Sequence, residues 1–145
     1  MNKNLVPEIF KISDQELAEI VRKYPKEGKN SHIAEIALEM AKKYFERKYG
    51  KVVEFSESDG IDLVVKHGSK IEFYEVKGTE SAKIAFNQLV VSGQPCHDHL
   101  KDGKTELMRI TKIRNNEMGI YFLKYGEHFK LVPEVRWKVC RNSQG

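Results

Sequence analysis

The chain has 145 residues, 32% of them charged, with a net charge of +4 and a pI near 9.0. Its length points to a single folded unit burying about two-thirds of its unfolded surface. No apolar stretch approaches the ~18 residues of a membrane span, and the opening MNKNLVPEIF lacks the apolar run of a signal peptide, so the expectation is a soluble, cytoplasmic protein.

Residues 1–30 read as a helical extension and linker ahead of a main domain spanning 31–145. SDQELAEIVRKY opens on a capping box, Ser13 with Glu16, and carries an apolar face of Leu17, Ile20, Val21 and Tyr24. PKEGKN follows as a linker. Packing onto the main domain is the plainer role for this segment. The alternative is that Arg22, Lys23, Lys26 and Lys29 touch the backbone of a nucleic acid. The next helix is SHIAEIALEMAKKYFERKYG, with Ser31 as N-cap and Gly50 just past its end. Ile33, Ala37, Met40, Ala41 and Tyr44 form its apolar stripe. Glu35 sits near its start and Glu39 one turn later.

GIDLVVKHGSKIEFYEVKG, residues 60–78, reads as two strands joined by a tight turn at Gly68–Ser69. That turn pairs His67 with Lys70, Lys66 with Ile71 and Val64 with Phe73, and puts Asp62 opposite Glu75. Directly opposed residues share a face, with Cβ atoms roughly 4.5–5.5 Å apart. Lys77 joins the same face because side chains alternate with period two. Two acids and a lysine thus meet among Ile, Leu, Val and Phe. Opposed like charges destabilise a strand pair, and a divalent cation such as Mg²⁺ would compensate, since it is commonly held by one or two carboxylates. The plainer reading is an edge hairpin with solvated acids.

After Lys77, SAKIAFNQLVVS reads as a third strand through Val91, with a short helix as the alternative. SGQPCHDHLKDG then makes a helix, with Ser92 as N-cap and Pro95 in the first turn. Beyond Gly103 the segments TELMRITKI, GIYFLKY and FKLVPEVRWKV are β-like, with Asn115 and Asn116 as turn residues. Arg109, Lys112, Arg114, Lys124, Lys130, Arg136 and Lys138 interleave there with Tyr121, Phe122, Tyr125, Phe129 and Trp137. Such a surface suits nucleic acid. A solvated sheet face with aromatics in the core is the competing reading. The modest charge excess permits a phosphate-rich partner without requiring one. CHDH at residues 96–99 lacks the second ligand pair of a structural zinc site. Cys96 and Cys140 are expected as free thiols.

GIDLVV followed by YEVKG resembles the core of the PD-(D/E)XK nuclease superfamily, which includes restriction endonucleases and Holliday-junction resolvases. The resemblance covers the aspartate of one strand and the E-x-K of the next, namely Asp62, Glu75 and Lys77. The literal Pro-Asp is replaced by Ile61–Asp62. It implies an α/β fold with a restriction-endonuclease-like mixed central sheet flanked by helices. It also implies metal-dependent endonuclease chemistry on DNA. Asp62, Glu75 and the helical Glu35 would hold Mg²⁺ or Mn²⁺, with the Val76 carbonyl as a further ligand, and Glu39 is the fallback for Glu35. Lys77 would orient or deprotonate the attacking water or stabilise transition-state charge. A glutamine on the helix after the E-x-K strand matches Gln94, or Gln88 under the other parsing. The analogy with relatives that cut both strands leaves a homodimer open, and a helicase or methyltransferase alongside stays open too. Two other classes also stay open: a non-catalytic DNA-binding module of the same fold, and an interaction protein with a chance motif.

Overall fold

The computed structural model describes residues 5–26 and 32–142. Its elements in chain order are β1 (Glu8–Lys11), α1 (Asp14–Lys23), α2 (His32–Tyr49), β2 (Glu54–Ser58), β3 (Ile61–His67) and β4 (Lys70–Gly78). A single 3₁₀ turn (Phe86–Gln88) follows, then α3 (Gln94–Lys101), β5 (Thr105–Thr111) and β6 (Glu117–Leu123). The six strands form one sheet in the order β1-β6-β5-β4-β3-β2. Only β4 and β5 run parallel, so the sheet is mixed and the fold is α/β.

Helices cover both faces of the sheet, and side-chain alternation decides what each face contains. Tyr74 and Val76 of β4, Met108 and Ile110 of β5, and Met118 and Ile120 of β6 point one way. They pack under Ile36, Ala37, Met40, Ala41 and Phe45 of α2. Phe45 is fully buried and meets the rings of Tyr44, Tyr49, Tyr74 and Phe122. Burying each such side chain stabilises the fold by about 1.5–3 kcal/mol. Leu107 of β5 and Leu123 of β6 point the other way, into a smaller cluster with Cys96 and Leu100 of α3.

Local chemistry fixes the ends of these elements. Both halves of the Ser13–Glu16 capping box form, each bond 3.1 Å long. Ile20 is buried, Leu17 and Tyr24 pack on the core, and Val21 is exposed, so the apolar face is narrower than its sequence pattern. The expected Ser31 cap of α2 and the Lys29 contact lie outside the described residues. Gly50 ends α2 with φ of +87°, a conformation that costs glycine little. The segment expected as a helical extension also supplies strand β1, and its Phe10 and Ile12 enter the main core. Among the described residues no helix is long and apolar enough to cross a membrane.

Four sequence-based expectations are corrected. Residues 81–91 form no strand. The edge of β4 that they would have joined is taken by β5, and a parallel pair needs a long crossover. Their apolar residues Ile84, Leu89 and Val91 pack instead on the α3-side cluster. The N-cap of α3 is Gly93, at φ of +90°, rather than Ser92. FKLVPEVRWKV is not a strand of the sheet: Phe129 and Leu131 pack on the α3 side, and the chain then leaves the body without regular structure. Nor do the basic residues of this region form one surface. Arg109 is 2% exposed and donates to the carbonyls of Ile84 (2.7 Å) and Gly78 (3.1 Å). Arg114 pairs with Glu80, and Lys124 with Glu106.

Candidate active site

The β3–β4 ladder has the register expected from the Gly68–Ser69 turn, running from His67 opposite Lys70 to Leu63 opposite Tyr74. Asp62 and Glu75 are the next residue on each strand. Here the backbone pairing gives way to a side chain. Asp62 Oδ2 accepts the backbone N–H of Val76 at 2.9 Å. The carboxylate thus ends the ladder and holds β4 at the point where its acids and lysine lie.

Glu75 is a buried acid, only 5% exposed. Lys77 Nζ stands 3.2 Å from its Oε1 and reaches partly into solvent. Burial raises the Glu75 pKa, and the neighbouring Asp62 charge raises it further. The Cys96 thiol and the Lys77 ammonium pull it back without restoring it. Burial first, and then the Glu75 carboxylate, push the Cys96 thiol up to about 12, so it stays protonated.

Two glycines bring the walls of the site together. A Cβ at Gly78 would stand 2.7 Å from Ile113 Cδ1, 2.8 Å from Ala37 Cβ and 3.3 Å from the Ile33 carbonyl. Its absence lets the first turns of α2 lie on the end of β4. Glu35 is carried on those turns. At Gly60 a Cβ would meet Pro95 Cβ at 2.7 Å and Cys96 N at 2.9 Å. That approach seats the β2–β3 turn against the start of α3. The result is a cleft of about 480 Å³ lined by Glu35, Glu57, Asp62, Glu75, Val76, Lys77, Ser92 and Cys96, among others.

The structure therefore brings Glu35, Asp62, Glu75, Val76 and Lys77 to one cleft. Glu35 lies at its exposed rim, 3.6 Å from His32 Nδ1. Gln94 is not brought there: it is exposed and bonds Asp98 Oδ1 at 2.7 Å on its own helix. Gln88 accepts from Thr79 Oγ1 at 3.3 Å and is also outside the lining. Glu39, the fallback for Glu35, is bound by Lys23 and Tyr24 on the α1 side. Sequence reasoning missed Glu57 and the contact of Cys96 with Glu75. Glu57 could have been placed by the Asp59–Gly60 pair, a strong two-residue hairpin signal, which joins β2 to β3 at Ser58 opposite Ile61.

Among the described residues no three His, Cys, Asp or Glu side chains form a ready metal-holding group. The donor set fits a hard divalent cation all the same. It offers two adjacent carboxylates, and one of them, Glu75, resists ionisation because it is buried and, beyond that, because of the other. Comparison of the chain with protein-family models, curated proteins and solved structures gives no match.

Proposed function

We propose that the chain is a metal-dependent deoxyribonuclease whose sheet is a restriction-endonuclease-like core. The observation that carries this reading is the buried Glu75, set beside Asp62 and paired with Lys77 inside an open cleft. A purely structural site has no use for a buried acid whose ionisation is opposed by burial and by a neighbouring carboxylate. A site for a cation and a phosphate does.

Asp62 and Glu75 would hold one or two Mg²⁺ or Mn²⁺ ions, with the Val76 carbonyl and Glu35 as further ligands. When bound, such an ion lowers the pKa of a water and neutralises charge developing on the phosphate. The chain's own groups do the rest. Asp62 fixes the backbone of β4 through Val76 N–H and so sets where Glu75 and Lys77 stand. Lys77 has ammonium protons beyond the one directed at Glu75, and donates them to a phosphate oxygen or to the attacking water. The enclosing walls from α2 and α3 thin the water around these charges and strengthen each interaction.

The test is cleavage of supercoiled plasmid, a four-way junction and single-stranded DNA, with Mg²⁺, Mn²⁺ or EDTA. Wild type is run beside Asp62→Asn and Lys77→Ala. The expected result is metal-dependent cutting that falls by at least about 10²-fold in both variants. Tight DNA binding without cutting would instead assign a non-catalytic module, and neither binding nor cutting would end the nuclease reading.

A further inference from the structure

The last described stretch of the chain is at odds with the rest of the molecule. Trp137 is 90% exposed, and Val135 and Val139 on either side of it are 78% and 95% exposed. The segment has no regular structure. Three cations lie along it, Lys130, Arg136 and Lys138, against one acid, Glu134. Among the described residues none of the three cations has a carboxylate within ion-pair reach. Elsewhere the aromatics that neighbour basic residues are at least partly buried, as Tyr121, Phe122 and Phe129 are. Among the described residues Trp137 is the most exposed aromatic ring, and the cations on either side of it have no carboxylate within ion-pair reach.

An extended, alternating segment can add to a sheet edge of a second copy, but both edges here are poorly suited to receive it. β2 carries a bulge between Ser56 and Ser58 together with exposed Glu54 and Glu57. β1 is four residues long, and Arg47 occupies its Lys11 carbonyl. Bulges, charges and short length are devices that block edge pairing. The arm's own chemistry fits another occupant. A planar ring offers a stacking platform to any base, and the flanking cations track phosphates. Stacking on a ring carried by an extended arm requires a base that is not already stacked in a duplex.

We propose that residues 130–139 form an arm that binds single-stranded polynucleotide, with Trp137 stacking on a base and Arg136, Lys138 and Lys130 contacting phosphates. The arm narrows the substrate class of the proposed nuclease to DNA bearing a single-stranded portion, and in that respect it rests on the nuclease reading. The binding itself does not.

Trp137 is the only tryptophan in the chain, so its fluorescence reports on the arm alone. The full chain is titrated in EDTA with a 20-residue oligothymidylate, the same length of duplex, and a base-free polyphosphate. Quenching by the oligothymidylate is expected, weaker with duplex, absent with polyphosphate, and reversed by salt. Trp137→Ala should weaken oligothymidylate binding, followed by anisotropy of a labelled strand, on the order of tenfold or more, and Trp137→Phe should restore most of it. Arg136→Gln with Lys138→Gln should flatten the salt dependence. Each variant's thermal midpoint should match wild type, because the arm is outside the core. Two results would overturn the inference: no quenching by any oligonucleotide, or a Trp137-dependent doubling of mass in sedimentation without DNA, which would assign the arm to a second copy. Cutting that is equal in wild type and Trp137→Ala, without quenching, sinks the arm and spares the nuclease. Quenching without metal-dependent cutting does the reverse.

Discussion

The two faces of the sheet are built from the same strands yet carry opposite chemistry. Under α2, β4 and β5 present Tyr74, Val76, Met108 and Ile110, and the face is continuous hydrocarbon. One residue away on each strand, toward α3, they present Glu75, Lys77, Arg109 and Thr111. Three of those four are buried polar groups that water no longer solvates. The α2 face supplies stability, and the α3 face consumes part of it to hold charge in place. The candidate site lies where the polar row ends, at the mouth of the cleft.

Truncating the apolar face should have the largest effect on stability. Phe45→Ala should lower unfolding stability by about 3–5 kcal/mol in urea melts. A loss below about 1 kcal/mol would mean that the α2 face is looser than its ring contacts indicate. Gly78→Ala should follow at about 1–3 kcal/mol, because the new methyl collides with Ile113 and Ala37 at the seam between helix and strand. Its cleavage rate should fall as well, since Glu35 and Lys77 stand on the two sides of that seam.

Glu75→Gln should act in the opposite direction. Glu75 has a raised pKa in the fold and an ordinary one, near 4.5, in the unfolded chain. The folded state therefore keeps its proton to higher pH. Metal-free stability is lost as pH rises from the ordinary carboxylate range through the folded pKa, and above that the loss is complete. Glu75→Gln removes the loss. Its metal-free stability at pH 7 should exceed that of wild type, seen as a higher Tm. The gap should close at pH 4, and Mn²⁺ should raise the Tm of wild type but not of the variant. A variant less stable than wild type at every pH would contradict the assignment of strain to this face. The smallest effect belongs to the arm: Trp137→Ala should shift stability by less than about 0.5 kcal/mol.

Much of this contrast was legible in the sequence. The Gly68–Ser69 turn set the β3–β4 register, and register set which residues share a face, so the approach of Asp62, Glu75 and Lys77 needed no tertiary information. The stripe of α2 and the Ser13 capping box are equally local signals. What was not legible depended on competition for partners. Residues 81–91 and 129–139 have strand-like composition, but β5 fills the edge one would take and the other leaves the sheet. Arg109 read as a surface cation because spacing alone does not reveal that a crossover loop folds over it. Gln94 was placed on the right helix, yet it faces Asp98 instead of the cleft. Glu57 was missed because β2 has few β-branched residues, although its Asp-Gly turn was present in the sequence.

The most direct test of the central claim reads both faces in one experiment. Cleavage of DNA bearing a single-stranded portion with Mn²⁺ and thermal unfolding would be measured on the same preparations of wild type and Asp62→Asn. The account predicts cutting by wild type, a loss of at least about 10²-fold in the variant, and a Tm within a few degrees of wild type. Cutting that survives in a well-folded Asp62→Asn would contradict it, because the polar row would then be structural and the chemistry would lie elsewhere.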